Sequence, residues 1–287
     1  MNIKLSTVVN PEYSGTKLND NDIILGIGSC FAANILTKLL NGGFQGMSNP
    51  NGIVYNAVSI AKSLERIVSN KIYSEQDFFF YNNLWHSWEH HGSFSKQILN
   101  EAVNLANNSL QKFRNLLESS KCIIITPSSS VVYKHIKTST ITANCHKVPN
   151  GEFKRKLLTY SENLNALNNI INFIKKINHD TAILFTLSPV RHYPGDPVLN
   201  SVSKATLRSA INDIINTDNN VYYFPSYEIL TDELRDYRYY KEDMLHPSTQ
   251  AENIIFDKFL QSWIEKNTIQ KIYQALKNLK AQRHIQN

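Results

Sequence analysis

Four runs of consecutive apolar residues, at positions 23–27, 122–126, 182–187 and 221–224, stand out in a chain that is otherwise amphipathic. Short apolar runs without alternation predict strands buried on both faces. Between them, residues 58–68, 97–117, 161–177 and 203–215 repeat their apolar positions at helical spacing, and strands alternating with helices predict a parallel sheet. Thr159 and Glu162 have capping-box spacing just ahead of the period Leu164, Leu167, Ile171, Ile174, which marks the start of the third of these helices. The aromatic stretch from Asp77 to His86 reads as a β-hairpin turning at Asn82-Asn83, inserted over one edge of the sheet. Ala251, Ile254, Ile255, Phe259 and Leu260 mark a later core helix. Beyond it, residues 269–280 carry a narrow apolar stripe and a basic face, a pattern that packs on its own domain or on a second copy in a homodimer. The expected organisation is one domain over residues 1–266, with the hairpin insertion near 77–96, followed by a basic amphipathic helix at 267–287.

Composition narrows the class. A chain of 287 residues, 42% hydrophobic and 19% charged, can bury a full core. Its first six residues lack the apolar segment of a secretory signal, and no apolar run approaches the roughly 18 residues of a membrane helix, so a cytoplasmic location without integral membrane association is expected. Cys30, Cys122 and Cys145 are odd in number and lack metal-ligand spacing, which argues against a disulfide framework and a zinc site. The net charge of +6 comes from scattered Lys and Arg that thicken only in the C-terminal tail, so nucleic acid is not the expected partner.

The densest chemistry begins at Gly26-Ile27-Gly28-Ser29-Cys30-Phe31-Ala32, between the first predicted strand and a helix-like segment. This places Ser29 at the carboxyl end of a strand, beside helix N–H groups that have no intrahelical partner. The serine is either a nucleophile or an N-cap. Far along the chain, Asp243 precedes His246 by three positions, so a carboxylate can orient an imidazole whose other nitrogen faces outward. Together the two segments hold the parts of a Ser-His-Asp triad. Cys30 is the competing nucleophile, since thiolates form readily at helix N-termini. His86 and His90, at four-residue spacing, lie in hairpin-like sequence without a third ligand at helical spacing, and with His91 they read as a surface or pocket-rim group.

The stretch Gly28-Ser29-Cys30-Phe31-Ala32 resembles the signature of the GSCFA family, which in turn resembles the SGNH (GDSL-like) hydrolases. Further segments similar to the family are Asn49-Pro50-Asn51-Gly52-Ile53-Val54-Tyr55-Asn56, Ala143-Asn144-Cys145-His146-Lys147-Val148-Pro149, Asn200-Ser201-Val202-Ser203-Lys204-Ala205, Tyr223-Phe224-Pro225-Ser226-Tyr227-Glu228 and the run from Asp232 to Arg238 that leads into Asp243 and His246. The resemblance implies a three-layer α/β/α sandwich around a central, mostly parallel five-stranded sheet of flavodoxin-like type. It also implies Ser29, Asp243 and His246 as the catalytic triad, no cofactor and no metal. Backbone N–H groups of Ser29 and Gly52 are then the expected oxyanion donors, although Gly52 reads equally well as a turn glycine. The third loop departs from the pattern, because Pro127-Ser128-Ser129-Ser130 has no asparagine, and Asn144 or His146 is the expected substitute. The segments Asn144-Cys145-His146-Lys147 and Ser188-Pro189-Val190-Arg191-His192 are each either part of the site or loop bracing. The expected function is hydrolysis of an acyl ester, short-chain or carbohydrate-linked, through an acyl-enzyme. The alternatives are O-acyl transfer to a sugar hydroxyl by the same triad, and a non-catalytic carbohydrate- or partner-binding module.

Overall fold

The computed structural model describes residues 6–13, 15–192, 196–215 and 220–285. Residues 1–5 of the expected domain and 286–287 of the expected terminal helix lie outside them.

Among the described residues, β1 (Ile23–Gly28), β2 (Gln45–Ser48), β5 (Cys122–Thr126), β9 (Ala182–Phe185) and β10 (Val221–Tyr223) form one parallel sheet in the order β2-β1-β5-β9-β10. The register sets Gly28 beside Thr126, and Ile123 beside both Leu25 and Ile183. Helices cover both faces, as the apolar runs require. On one face lie α2 (Ala57–Val68), α3 (Leu99–Glu118), α4 (Tyr160–Ile177) and α5 (Pro197–Ile214), packed over Leu25, Ile27, Ile123, Ile125, Ile183 and Phe185. On the other lie α1 (Cys30–Asn41), α7 (Thr249–Trp263) and α8 (Lys266–Ile285), over Ile24, Ile124 and Leu184. A single turn, α6 (Ser226–Glu228), follows β10. The result is a three-layer α/β/α sandwich of flavodoxin-like strand order, whose order reverses between β1 and β5, the place where such sheets bind ligands.

Local chemistry accounts for the element ends. Thr159 Oγ1 accepts from the Glu162 N–H while a Glu162 carboxylate oxygen accepts from the Thr159 N–H, closing the capping box that starts α4. The expected hairpin is β3 (Phe79–Tyr81) paired with β4 (Leu84–His86), and Asn82 and Asn83 both take positive φ in the turn, as a type I′ connection requires. Its Trp85 packs on the core that α3 covers, and Trp88 just after it stacks on Phe79 and lies 4.6 Å from the His135 ring of an unexpected antiparallel sheet of β6 (Val131–His135), β7 (Ile141–Thr142) and β8 (Phe153–Leu157).

The C-terminal helix packs against the core. Ile272 is wholly buried, its stripe neighbours Ile269 and Leu276 pack on the core under α1, and Lys271 pairs with Asp20. The centre of the apolar stripe is therefore spent within the chain. Replacing Ile272 with Ala should cost about 2–4 kcal/mol in urea unfolding, as for other buried aliphatic truncations; a change within ~0.5 kcal/mol would mean that α8 is detached from the fold.

Candidate active site

Ser29 stands where β1 passes into α1, a connection that needs glycine before it. Gly28 has φ +141°, and a Cβ there would lie 2.2 Å from the Thr126 carbonyl oxygen. The extended Ser29 occupies the N-cap position of α1 but makes no capping hydrogen bond. Its Oγ is completely buried and has no hydrogen-bond partner, His246 included. Buried hydroxyls are ordinarily paired, so the unpaired Ser29 Oγ is an exception among the described residues. Cys30 is half-buried, and burial foremost pushes its thiol pKa up, away from the thiolate a cysteine nucleophile needs.

Asp243 and His246 lie in a loop that leads into α7. Asp243 Oδ2 accepts from the His246 ring at Nδ1, 2.7 Å away, while Oδ1 accepts the backbone N–H groups of Leu245 and His246. Those two backbone bonds, reinforced by the ring, hold the Asp243 carboxyl down at about 2. The imidazole is thus oriented through Nδ1, leaving Nε2 to face outward. The loop is tied across the entrance to α1: Glu252 accepts from Asn34 of α1 and pairs with Lys241, whose own N–H donates to the His246 carbonyl.

The expected oxyanion residues divide. The Ser29 N–H donates to the Thr126 carbonyl, and the Gly52 N–H to that of Asn49. Gly52 has φ +74°, and a Cβ there would meet His91, so its glycine is required by a turn packed against the hairpin. His146 belongs to the hairpin as well: its Nε2 bonds the Ser87 carbonyl, its ring lies 4.5 Å from that of His86, and burial foremost depresses it to about 4. Asn144 lines a cleft of about 240 Å³ together with Tyr55, Ser129, Tyr133, Cys145 and His192. Its Oδ1 accepts from the His146 N–H. Asn49 joins the site unforeseen, accepting from the Gly28 N–H and leaving its Nδ2 buried and unpartnered.

The segment 200–205, similar to the family but without an assigned role, proves to fasten two loops. Ser203 Oγ accepts from the Ser130 N–H of the third loop. Asn200 and Lys204, one turn apart on α5, hold the loop after β9: Asn200 Oδ1 accepts from the His192 N–H, and Lys204 Nζ donates to the Ser188 carbonyl at 2.6 Å. Arg191 of the same loop donates its N–H to the Leu245 carbonyl, joining it to the base loop. Only 2% exposed, Lys204 has no carboxylate partner among the described residues. Burial lowers its pKa to about 7.

The sequence profile of the GSCFA family matches residues 23–259. No curated protein sequence matches the chain. Among solved structures, similarity extends to a family 3 carbohydrate esterase from Clostridium thermocellum, 10% identical with a TM-score of 0.40 over 84% of this chain and 94% of that one. It extends also to a family 3 carbohydrate esterase from Talaromyces cellulolyticus, 8% identical with a TM-score of 0.41 over 88% and 99%. A family two carbohydrate esterase from Clostridium thermocellum, solved with cellohexaose, is 13% identical with a TM-score of 0.40 over 90% and 67%. No helix of the described residues is long and apolar enough to cross a membrane.

The buried lysine gives a pH signature. Because its folded pKa of about 7 lies below the ordinary 10.5, the unfolded chain binds the extra proton between these values, and stability should rise with pH across that window. Relative to Lys204→Met, the wild type should gain on the order of 4 kcal/mol between pH 6 and pH 10.5 in denaturant unfolding. Parallel stability curves for the two proteins would show that the ammonium is not desolvated.

Proposed function

The chain belongs to the GSCFA family, and from that membership and the buried, unpaired Ser29 hydroxyl we propose that it is a serine esterase of the SGNH type. The observation that carries the reading is the combination of a nucleophile spared from capping with a histidine already oriented by Asp243.

In the proposed reaction, His246 Nε2 takes the Ser29 Oγ proton as the Oγ–C bond forms to the ester carbonyl carbon, and the carbonyl π pair moves onto oxygen. Asp243 stabilises the imidazolium without taking a proton. The tetrahedral intermediate collapses by breaking the C–O bond to the alcohol, which leaves with the proton from His246. Water then repeats the sequence on the acyl-enzyme and releases the acid. The N–H groups of Cys30 and Phe31 open α1 ahead of its first intrahelical bonds and support the oxyanion in place of the engaged Ser29 and Gly52 groups. The substrate is an acyl ester of a small molecule or carbohydrate. O-acyl transfer uses the same steps, with a sugar hydroxyl in place of water.

Purified protein should hydrolyse p-nitrophenyl acetate, with Ser29→Ala lowering kcat by about 10⁴ or more and Asp243→Asn by about 10²–10⁴, while Cys30→Ala keeps most of the rate. Undiminished turnover by Ser29→Ala would sink the reading. A wild-type protein inactive on all acyl esters tried would favour the binding module.

A further inference from the structure

The backbone N–H groups of the third loop are all engaged within the fold. The N–H groups of Ser128 and Ser129 both donate to the Tyr55 carbonyl, and that of Ser130 donates to Ser203 Oγ. Ser129 Oγ accepts from the Val131 N–H, Ser130 Oγ donates to the Ser203 carbonyl, and Ser128 Oγ lies 3.5 Å from Lys204 Nζ. The place that an asparagine holds in the SGNH pattern is therefore filled by a loop without that side chain, whose backbone N–H groups brace the loop itself.

The neighbouring loop contrasts with it. His192 Nε2 is sealed from solvent, has no hydrogen-bond partner, and belongs to a residue lining the 240 Å³ cleft with Tyr55 and Asn144. Leaving such a nitrogen unpaired opposes folding, and the fold holds it so. The His192 N–H is fixed by Asn200, the loop's other end by Lys204, its Ser188 N–H by the Pro127 carbonyl, and its Arg191 N–H by the base loop. The ring is set edge-on to Tyr55, 4.5 Å between centroids. Burial foremost, followed by the charges of Lys204 and His246, pushes the imidazole down to about 3, so it is neutral at any working pH. A neutral imidazole can donate one ring hydrogen bond to a developing oxyanion without giving up a proton.

We propose that His192 supplies the third oxyanion donor that the loop after β5 lacks, through Nε2–H, with Asn200 and Lys204 as the positioning residues that hold its loop. The inference rests on the Ser29 and His246 reading above and names the group that completes its oxyanion site. A donor of this kind contributes to turnover and little to ground-state affinity.

Steady-state hydrolysis of p-nitrophenyl acetate by the full chain tests it, comparing wild type with His192→Phe, which keeps a ring, and His192→Gln, which keeps an N–H donor. The expected result is a kcat lower by about 10²–10³ in His192→Phe with KM within about threefold, and recovery of at least about tenfold in His192→Gln. Wild-type kcat in His192→Phe, or a rise in KM alone, overturns the assignment while leaving a Ser29-dependent reaction standing. A rate that Ser29→Ala does not diminish overturns the serine reading itself. An independent readout is the ¹⁵N spectrum of the unliganded wild type, which should show His192 protonated at Nε2 and not titrating above about pH 5. The Nδ1–H form overturns the assignment whether or not the variants fold.

Discussion

The contact between Gly28 and the backbone of Thr126 governs the rest of the site. The two residues face each other at the ends of β1 and β5, with so little room that a Cβ on residue 28 would lie 2.2 Å from the Thr126 oxygen. That closeness lets the chain leave the sheet with φ +141° and begin α1 at once, with the Ser29 N–H still paired to the sheet. It also puts Ser29 at the reversal in strand order, between loops from both sides. Any side chain at position 28 would separate the strands and move the hydroxyl away from the helix start that surrounds it.

Around this turn the architecture is one of loops fastened by buried polar side chains. Helix α5 contributes three of the fasteners, Asn200, Ser203 and Lys204, which reach the loops after β5 and β9. The lysine is the costly one. A desolvated ammonium without a carboxylate opposes folding, and its bond to the Ser188 carbonyl offsets only part of that cost. A methionine of similar length would fill the space at lower cost, so retention of the charge fits a site in which loop position and local field matter more than stability.

What the sequence discloses follows the range of the interactions involved. The four runs legible as strands are those buried on both faces, where burial alone dictates apolar residues. β2 escaped because it is a four-residue edge strand, Gln45-Gly46-Met47-Ser48, in which Gly46 lies tight against the Ile24 carbonyl and only Met47 packs inward. The sheet of β6, β7 and β8 escaped because its outer face is Lys134, Lys154 and Lys156, a pattern that reads as loop. The proposed triad of Ser29, Asp243 and His246 could be read from the chain because each sits in a local motif. Lys204 was not, since a lysine on an amphipathic helix reads as a solvated residue, and its burial is decided by loops remote in sequence. Gly52 stayed ambiguous for the opposite reason: a glycine has the same signature whether a ligand or a histidine side chain comes close to it.

The central claim is that the Ser29 hydroxyl is the nucleophile, served by a fixed oxyanion site. A structure of the protein after reaction with a fluorophosphonate tests it most directly, because the adduct reproduces the tetrahedral geometry of the intermediate. The account predicts a covalent bond from Ser29 Oγ to phosphorus, with the phosphoryl oxygen directed at the start of α1 and at His192. An adduct on Cys30, or an unmodified Ser29 beside an ordered His246 after exhaustive treatment, would contradict it.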